Sequence, residues 1–168
     1  MNENRLLNRL RDKKIIFYVL TFFILIFIWS NSLDHPTESY SKSSKVMEAV
    51  SSVMSRIFGS EHFLTVFFRS HVRKLAHFIE YMLLGAAVTG AMKLSHKTKL
   101  QHFYNSLSFS VIVAVVDEFI QIYTYRGSSV RDVVIDFSGY FSGTVFASFI
   151  ITLVYIIKKR KNTNQAHY

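Results

Sequence analysis

Ionisable and amide side chains stand inside otherwise apolar sequence at three separated places in this chain of 168 residues. Each ionised carboxylate that faced lipid would cost about 3 kcal/mol, so we expect these groups to turn toward one another and toward water. Their convergence would form a polar cleft for a headgroup or an amphiphile. The predicted binding residues are Lys74, His77, Glu80, Tyr81, Asp117, Glu118, Gln121, Arg126, Arg131, Asp132 and Asp136.

Four of these residues are candidates for catalysis: His77, Glu80, Asp117 and Glu118. His77 and Glu80 are one helical turn apart, so an imidazole and a carboxylate can share a helix face and exchange a proton. The alternative is a structural network whose ion pairs and hydrogen bonds lock the helices together. One pair would suffice for that, whereas here every helix end on this side is polar.

Several acids this close together repel one another unless a lysine, an arginine or a metal ion neutralises them. An oxygen-rich set consisting of Glu80, Asp117, Glu118 and Asp136 would suit a hard divalent cation better than zinc. The His-x-x-Glu spacing is by itself a weak zinc signal. The sequence predicts no cofactor and leaves open whether the site binds a divalent cation.

Neighbouring polar residues allow two interpretations each. Arg126 and Arg131 could bind phosphate or carboxylate through both guanidinium nitrogens, or could pair with Asp132 and lipid headgroups. Ser128 and Ser129 have no base nearby in sequence, so a helix N-cap is a better prediction for them than a nucleophile. Tyr123 and Tyr125, like Tyr81, are typical of a membrane interface.

Composition places these groups in a membrane protein. Half of the residues are hydrophobic, the formal net charge is +9 and there is no cysteine, which excludes disulfides and thiolate sites. The basic residues lie at the ends of apolar runs, in residues 1–14 and 158–168. This pattern indicates cytoplasmic flanks that contact anionic lipids, and it argues against nucleic acid as a partner.

The predicted fold is an all-α integral membrane bundle of four helices, in one domain over residues 15–157. The spans are placed at about 15–33, 75–94, 103–123 and 133–157, and a loop at residues 34–44 follows the first span. A cleaved signal peptide is the alternative for the first run. Apolar residues at helical spacing predict an additional amphipathic helix on the membrane surface at about 44–69. Gly85, Gly139 and Gly143 would permit close helix packing.

The basic flanks also predict the orientation. Residues 1–14, the loop at residues 93–99 and the tail at residues 158–168 are expected in the cytoplasm, which requires an even number of spans. The three polar places then meet at the outer membrane surface. Basic residues in the segment 34–73 fit this bias imperfectly, and a surface helix would account for them.

Four motifs together resemble the VanZ-like family. They are Lys74-x-x-His77-Phe78-x-x-Tyr81-x-x-Leu84-Gly85, Asp117-Glu118-x-x-Gln121, Arg126-x-Ser128-x-x-x-Asp132 and Asp136-x-x-Gly139-x-x-x-Gly143. The Ser30-Asn31-Ser32 exit from the first run is similar as well. The resemblance extends from Ile15 to about Phe149, and Asp136 departs from it, because asparagine is common there. It implies a bacterial cytoplasmic-membrane protein associated with low-level resistance to the glycopeptide teicoplanin.

Two functions therefore compete. In the first, a non-catalytic membrane protein binds an amphiphilic antibiotic, a lipid headgroup or a lipid-linked wall precursor, with Lys74, Arg126 and Arg131 holding its anionic groups. In the second, a small intramembrane enzyme acts on a lipid-linked envelope substrate through carboxylate and histidine acid-base chemistry, with or without a cation. A transporter is the least favoured, because four spans leave little room for alternating access.

Overall fold

A computed structural model describes residues 3–93, 99–127 and 129–165, and within them the chain forms five helices and no strand. The helices are α1 (Glu3–Leu33), α2 (Pro36–Phe58), α3 (Phe63–Lys93), α4 (Lys99–Tyr123) and α5 (Val130–Gln165). The predicted all-α class is confirmed.

Four of the described helices contain a stretch long and apolar enough to cross a membrane: Lys14–Leu33, Phe63–Lys93, Leu100–Tyr123 and Val130–Ile157. Large apolar side chains such as Phe22, Phe119 and Phe146 are more than half exposed on their outer faces. A bilayer would cover such surface, so the architecture is that of a multi-pass membrane protein.

The segment between the first two spans differs from the prediction. The predicted loop at residues 34–44 is wrong, because α2 already begins at Pro36, a residue that the first turn of a helix tolerates. Residues 44–69 do not form one helix. Gly59, with φ of +92°, ends α2 after Phe58.

The aromatic run from Phe63 continues without interruption into α3, so this helix begins well before residue 75. Likewise, α4 and α5 begin at residues 99 and 130, ahead of the predicted 103 and 133. Residues 94–98 of the predicted cytoplasmic loop and 166–168 of the tail lie outside the described residues. The location of α2 on a membrane surface stays a prediction.

The most extensive helix contact among the described residues is between α3 and α5. At this contact Gly85 faces the Tyr140 carbonyl, Gly139 faces the Phe78 carbonyl and Gly143 faces the Met82 carbonyl. An added Cβ at any of the three would overlap backbone atoms of the other helix. The absence of a side chain thus lets the two backbones approach and sets the distance between the polar residues they carry.

Helix α2 lies against α3 through a serine-rich face. Ser39 and Ser51 are buried, and Arg69 of α3 donates to the Ser51 hydroxyl from Nη2 at 2.8 Å. Val53 and Ile57 point the other way and are more than half exposed. The apolar side of α2 therefore faces out of the bundle, where a lipid surface could cover it.

Candidate functional site

The imidazole of His77 is the centre of a polar cluster at the end of the bundle where α1 and α4 finish and α5 begins. Its Nδ1 lies 4.0 Å from Glu80 Oε2, 3.9 Å from Asp117 Oδ2 and 3.9 Å from Asp136 Oδ1. These four residues come from α3, α4 and α5. The geometry therefore places one nitrogen ligand or proton carrier among three carboxylates.

Hydrogen bonds from α1 and α4 orient two of the carboxylates. Asp117 is fully buried; its Oδ1 accepts from the Ser32 hydroxyl at 2.5 Å and its Oδ2 from the Gln121 amide at 3.0 Å. Glu80 Oε1 accepts from the Asn31 amide at 3.0 Å. The polar exit of α1 thus fixes the acids of α3 and α4 in defined positions.

Asp136 has no such support. It is 1% exposed, and neither of its carboxylate oxygens accepts a hydrogen bond from any residue that the structure describes. His77 Nδ1 and Glu80 Oε2 are also buried and without a hydrogen-bond partner within the described ranges. A buried carboxylate without a donor is unfavourable unless a proton, water or a cation satisfies it.

Glu118 has a different role from the other acids, because it binds the backbone of the turn before α5. Its Oε2 accepts from the backbone N–H of Ser129 at 2.9 Å, while the Ser129 hydroxyl accepts from the backbone N–H of Arg131 at 3.1 Å. Glu118 and Ser129 thus hold the turn that leads into α5, and Ser129 is its N-cap. Ser128 lies outside the described residues.

Two guanidinium groups lie beside the acids. One Nη of Arg126 donates to the backbone carbonyl of Asn31, while its buried Nε–H lacks a partner among the described residues. Arg73 lies 5.9 Å from the Tyr40 ring centre and forms no ion pair with a carboxylate in residues 3–93, 99–127 or 129–165.

Burial lowers the pKa of Arg126, and the neighbouring charge of Arg73 lowers it further, whereas Asp117, Asp34 and Glu80 oppose this shift. Arginine nevertheless stays protonated in proteins. The site therefore holds two neighbouring positive charges whose mutual repulsion an anion would relieve.

A groove of about 240 Å³ opens these groups to the surface between α1, α2 and α3. Its polar part contains His77 and Glu80, and its lining continues onto apolar surface. Lys42 also lines the groove, but both oxygens of Asp34 bind its ammonium group, at 2.7 and 2.8 Å. The lining residues are Phe27, Asn31, Asp34, Ser39, Lys42, Ser43, Val46, Val72, Arg73, Ala76, His77, Glu80 and Arg126.

The remaining predicted residues lie around the cluster. Lys74 is exposed and, with half-buried Asp132, borders a narrow crevice that reaches His77 and Asp136. Tyr81 is fully buried and donates to the Val113 carbonyl at 3.4 Å, so it packs in the core and lines neither the groove nor the crevice. The Arg131 side chain is exposed and forms no ion pair with a carboxylate among the described residues.

The predicted site residues leave out four contributors: Asn31, Ser32, Arg73 and Thr124. The hydroxyl of Thr124 donates to the Ser32 carbonyl at 3.1 Å and so ties the end of α4 to α1. The polar exit of the first apolar run was a usable signal, because two polar residues there stand at the same membrane level as the acids. Nothing in the sequence singled out Arg73 over Lys74.

A second cavity of about 190 Å³ lies between α3, α4 and α5 at the opposite end of the bundle. Its wall contains His102 and a buried hydrogen bond of 2.9 Å between Ser106 and Tyr140. The described residues of this wall include no carboxylate. Among the described residues, the buried carboxylates therefore lie at the end of the bundle that contains His77.

A family model described as VanZ/LLP1 matches residues 15–154. This range contains every residue of the cluster and all of the described transmembrane stretches except Lys14 and residues 155–157. No curated protein matches the chain, and no solved structure does.

Proposed function

Because the chain belongs to the VanZ/LLP1 family, which is linked to glycopeptide resistance, we propose that it binds an amphiphile with an anionic headgroup in the groove between α1, α2 and α3. The bound molecule is an amphiphilic antibiotic, a lipid or a lipid-linked wall precursor at the outer face of the bacterial cytoplasmic membrane. Binding there would reduce the access of the antibiotic to its target.

The observation that carries this proposal is the pair of guanidinium groups in the groove. Arg73 has no carboxylate partner among the described residues, and Arg126 keeps a buried N–H without an acceptor. Guanidinium groups bind phosphate and carboxylate through two parallel hydrogen bonds, and partial burial strengthens such contacts. An anionic headgroup would supply the missing acceptors.

The apolar part of the groove supports an amphiphile over a small soluble anion. Phe27 and Val46 line the groove and are about half exposed, at 56% and 51%. An acyl chain could lie along this apolar surface while its headgroup stays at the polar part of the groove. The outward apolar face of α2, with Val53 and Ile57, would rest on the same lipid surface.

The binding test uses the full chain in detergent and two short-chain phospholipids of equal acyl length, one with an anionic and one with a zwitterionic headgroup. We expect the anionic lipid to bind more tightly to the wild type and Arg73→Gln to weaken its binding about tenfold. Arg56→Gln is the matched control, since Arg56 is an exposed base on α2 that does not line the groove. Equal effects of the two variants would contradict the proposal.

A resistance test connects binding to the family. The wild type, Arg73→Gln and Arg56→Gln are expressed at matched levels in a teicoplanin-sensitive bacterium. We expect only Arg73→Gln to lose any decrease in sensitivity that the wild type confers. If Arg73→Gln loses headgroup binding but keeps the resistance, then resistance does not depend on headgroup binding and that part of the proposal is wrong.

Orientation is tested separately. The chain has no cysteine, so Ser60→Cys and Asn164→Cys each introduce one thiol for an impermeant maleimide. The basic flanks lead us to expect labelling of intact cells at residue 60 and not at residue 164. The reverse pattern would place the groove on the cytoplasmic side.

One observation favours the enzyme as a second candidate. His77 Nδ1 lies within 4.0 Å of three carboxylates and also lines the groove, so a proton carrier faces the space for a substrate. Incubation with the bound amphiphile, followed by mass analysis, distinguishes the two. A product that the wild type forms and Glu80→Gln does not would establish catalysis, whereas an unchanged amphiphile supports binding alone.

A further inference from the structure

Three potential metal ligands from three different helices converge beneath the groove. Nδ1 of His77, an oxygen of Asp117 and an oxygen of Asp136 all lie within 4.8 Å of one another. Both distances from the imidazole nitrogen are 3.9 Å. A cation placed at equal distance from the three ligand atoms would lie roughly 2.3–2.8 Å from each of them. A small movement of the side chains toward the cation would give ordinary metal–ligand distances.

The carboxylate of Asp136 gives an independent reason to expect a ligand here. Asp136 is only 1% exposed, and both of its carboxylate oxygens lack a hydrogen-bond donor within the part of the chain that the structure describes. Arg73 and Arg126 act electrostatically on this region, yet no described arginine or lysine forms an ion pair with Asp136. A cation would satisfy both the charge and the vacant lone pairs.

The surrounding residues orient the proposed ligands as metal sites require. The Ser32 hydroxyl and the Gln121 amide each hold one oxygen of Asp117. Asn31 holds Oε1 of Glu80, which leaves Oε2 free at 4.0 Å from His77 Nδ1. Such hydrogen bonds fix ligand direction, and removing them usually weakens metal binding.

We propose that His77, Asp117 and Asp136 bind a divalent transition-metal cation, with Glu80 as an additional ligand. The imidazole nitrogen favours Mn²⁺, Fe²⁺ or Zn²⁺ over Ca²⁺ and Mg²⁺, which prefer oxygen ligands. His77 and Glu80 also line the groove, so the cation has an open side toward it. The cation site itself does not depend on the proposed function. The occupation of its open side by a headgroup anion does.

Mn²⁺ is the probe, because its paramagnetic resonance reports both stoichiometry and ligand identity. The full chain is purified in detergent, treated with a chelator, exchanged into chelator-free buffer at about 0.15 M salt and titrated with Mn²⁺. We expect one tightly bound ion per chain and a spin-echo modulation from a directly coordinated ¹⁴N. Zn²⁺ should displace the ion at lower concentration than Mg²⁺ does.

Two ligand variants and one control test the assignment. Asp136→Asn keeps the side-chain shape and should weaken Mn²⁺ binding by about tenfold or more. His77→Gln should abolish the nitrogen modulation. Glu48→Gln removes an exposed acid of α2 that lies outside the cluster and should change the affinity by less than about twofold. Circular dichroism and size exclusion establish that each variant is folded.

The absence of stoichiometric binding to the folded wild type would overturn the inference, as would equal losses in Glu48→Gln and Asp136→Asn or a bound ion without nitrogen modulation. Arg73→Gln separates this inference from the proposed function. It should bind Mn²⁺ at least as tightly as the wild type, because a positive charge that acts on His77 is removed, while it binds the anionic lipid more weakly. Retained lipid binding in a chain that binds no Mn²⁺ would reject the cation site alone.

Discussion

The contact of Gly139 with α3 determines how closely Asp136 approaches His77, and Gly139→Ala tests this. An added Cβ at residue 139 would overlap the Phe78 carbonyl oxygen. Ordinary van der Waals contact would then require the helices to separate by roughly 1 Å. Asp136 lies one turn before Gly139, and Phe78 follows His77, so this separation would also open the polar cluster.

Two opposing effects set the expected magnitude. Alanine is favoured over glycine in a helix by about 1 kcal/mol, whereas overpacking typically costs about 1–3 kcal/mol. The obstacle here is backbone, which cannot rotate away as a flexible side chain can. We therefore expect Gly139→Ala to lower the free energy of unfolding by about 1–2 kcal/mol.

The measurement is an SDS titration of the protein in mixed micelles, followed by circular dichroism. Ser138→Ala is the control, because Ser138 is exposed on the same helix and its hydroxyl donates to the Val134 carbonyl of the preceding turn, at 2.6 Å. It should leave the midpoint unchanged or raise it slightly. A Gly139→Ala variant as stable as the wild type, or more stable, would refute the close-contact reasoning.

Three other predictions concern stability. Ser32→Ala removes the 2.5 Å hydrogen bond to buried Asp117 and should cost about 1–3 kcal/mol in an SDS titration; a loss near zero would show that the bond is not needed. Ser106→Ala, Tyr140→Phe and the double variant form a cycle whose coupling energy should be about 0.5–1.5 kcal/mol, since the 2.9 Å bond is buried; strictly additive losses would contradict it. Ser129→Ala should cost about 1 kcal/mol, and Ser129→Gly only a few tenths, because glycine is tolerated at an N-cap; the opposite order would exclude the N-cap role.

The helical class could be read from the sequence because four apolar stretches are long enough to span a bilayer and few other folds bury such runs. Helix ends were harder to place. Arg73 and Lys74 interrupt the apolar pattern without interrupting the helix, so the start of α3 was set too late. At α2, the polar character of residues 34–44 concealed a helix whose serines face the bundle.

Some residues of the site can also be identified from the sequence, whereas others can be identified only from the structure. The rarity of carboxylates in apolar sequence marks Asp117 and Asp136, because lipid exposure would be costly. Glu118 carries the same signal, yet one position of rotation along α4 directs it to the Ser129 amide. Only the packed structure distinguishes an acid of the cluster from an acid that holds a turn.

The sequence by itself determined that the chain is a helical membrane protein and which side chains must avoid lipid, because hydropathy and charge act along the chain without reference to neighbours. The tertiary structure decided that Asn31, Ser32 and Arg73 join the site and that Asp136 lacks a donor within the described residues. Those facts depend on the distance and rotation between helices. Close backbone contacts such as the one at Gly139 fix that geometry, and the periodicity of apolar residues along the chain does not encode it.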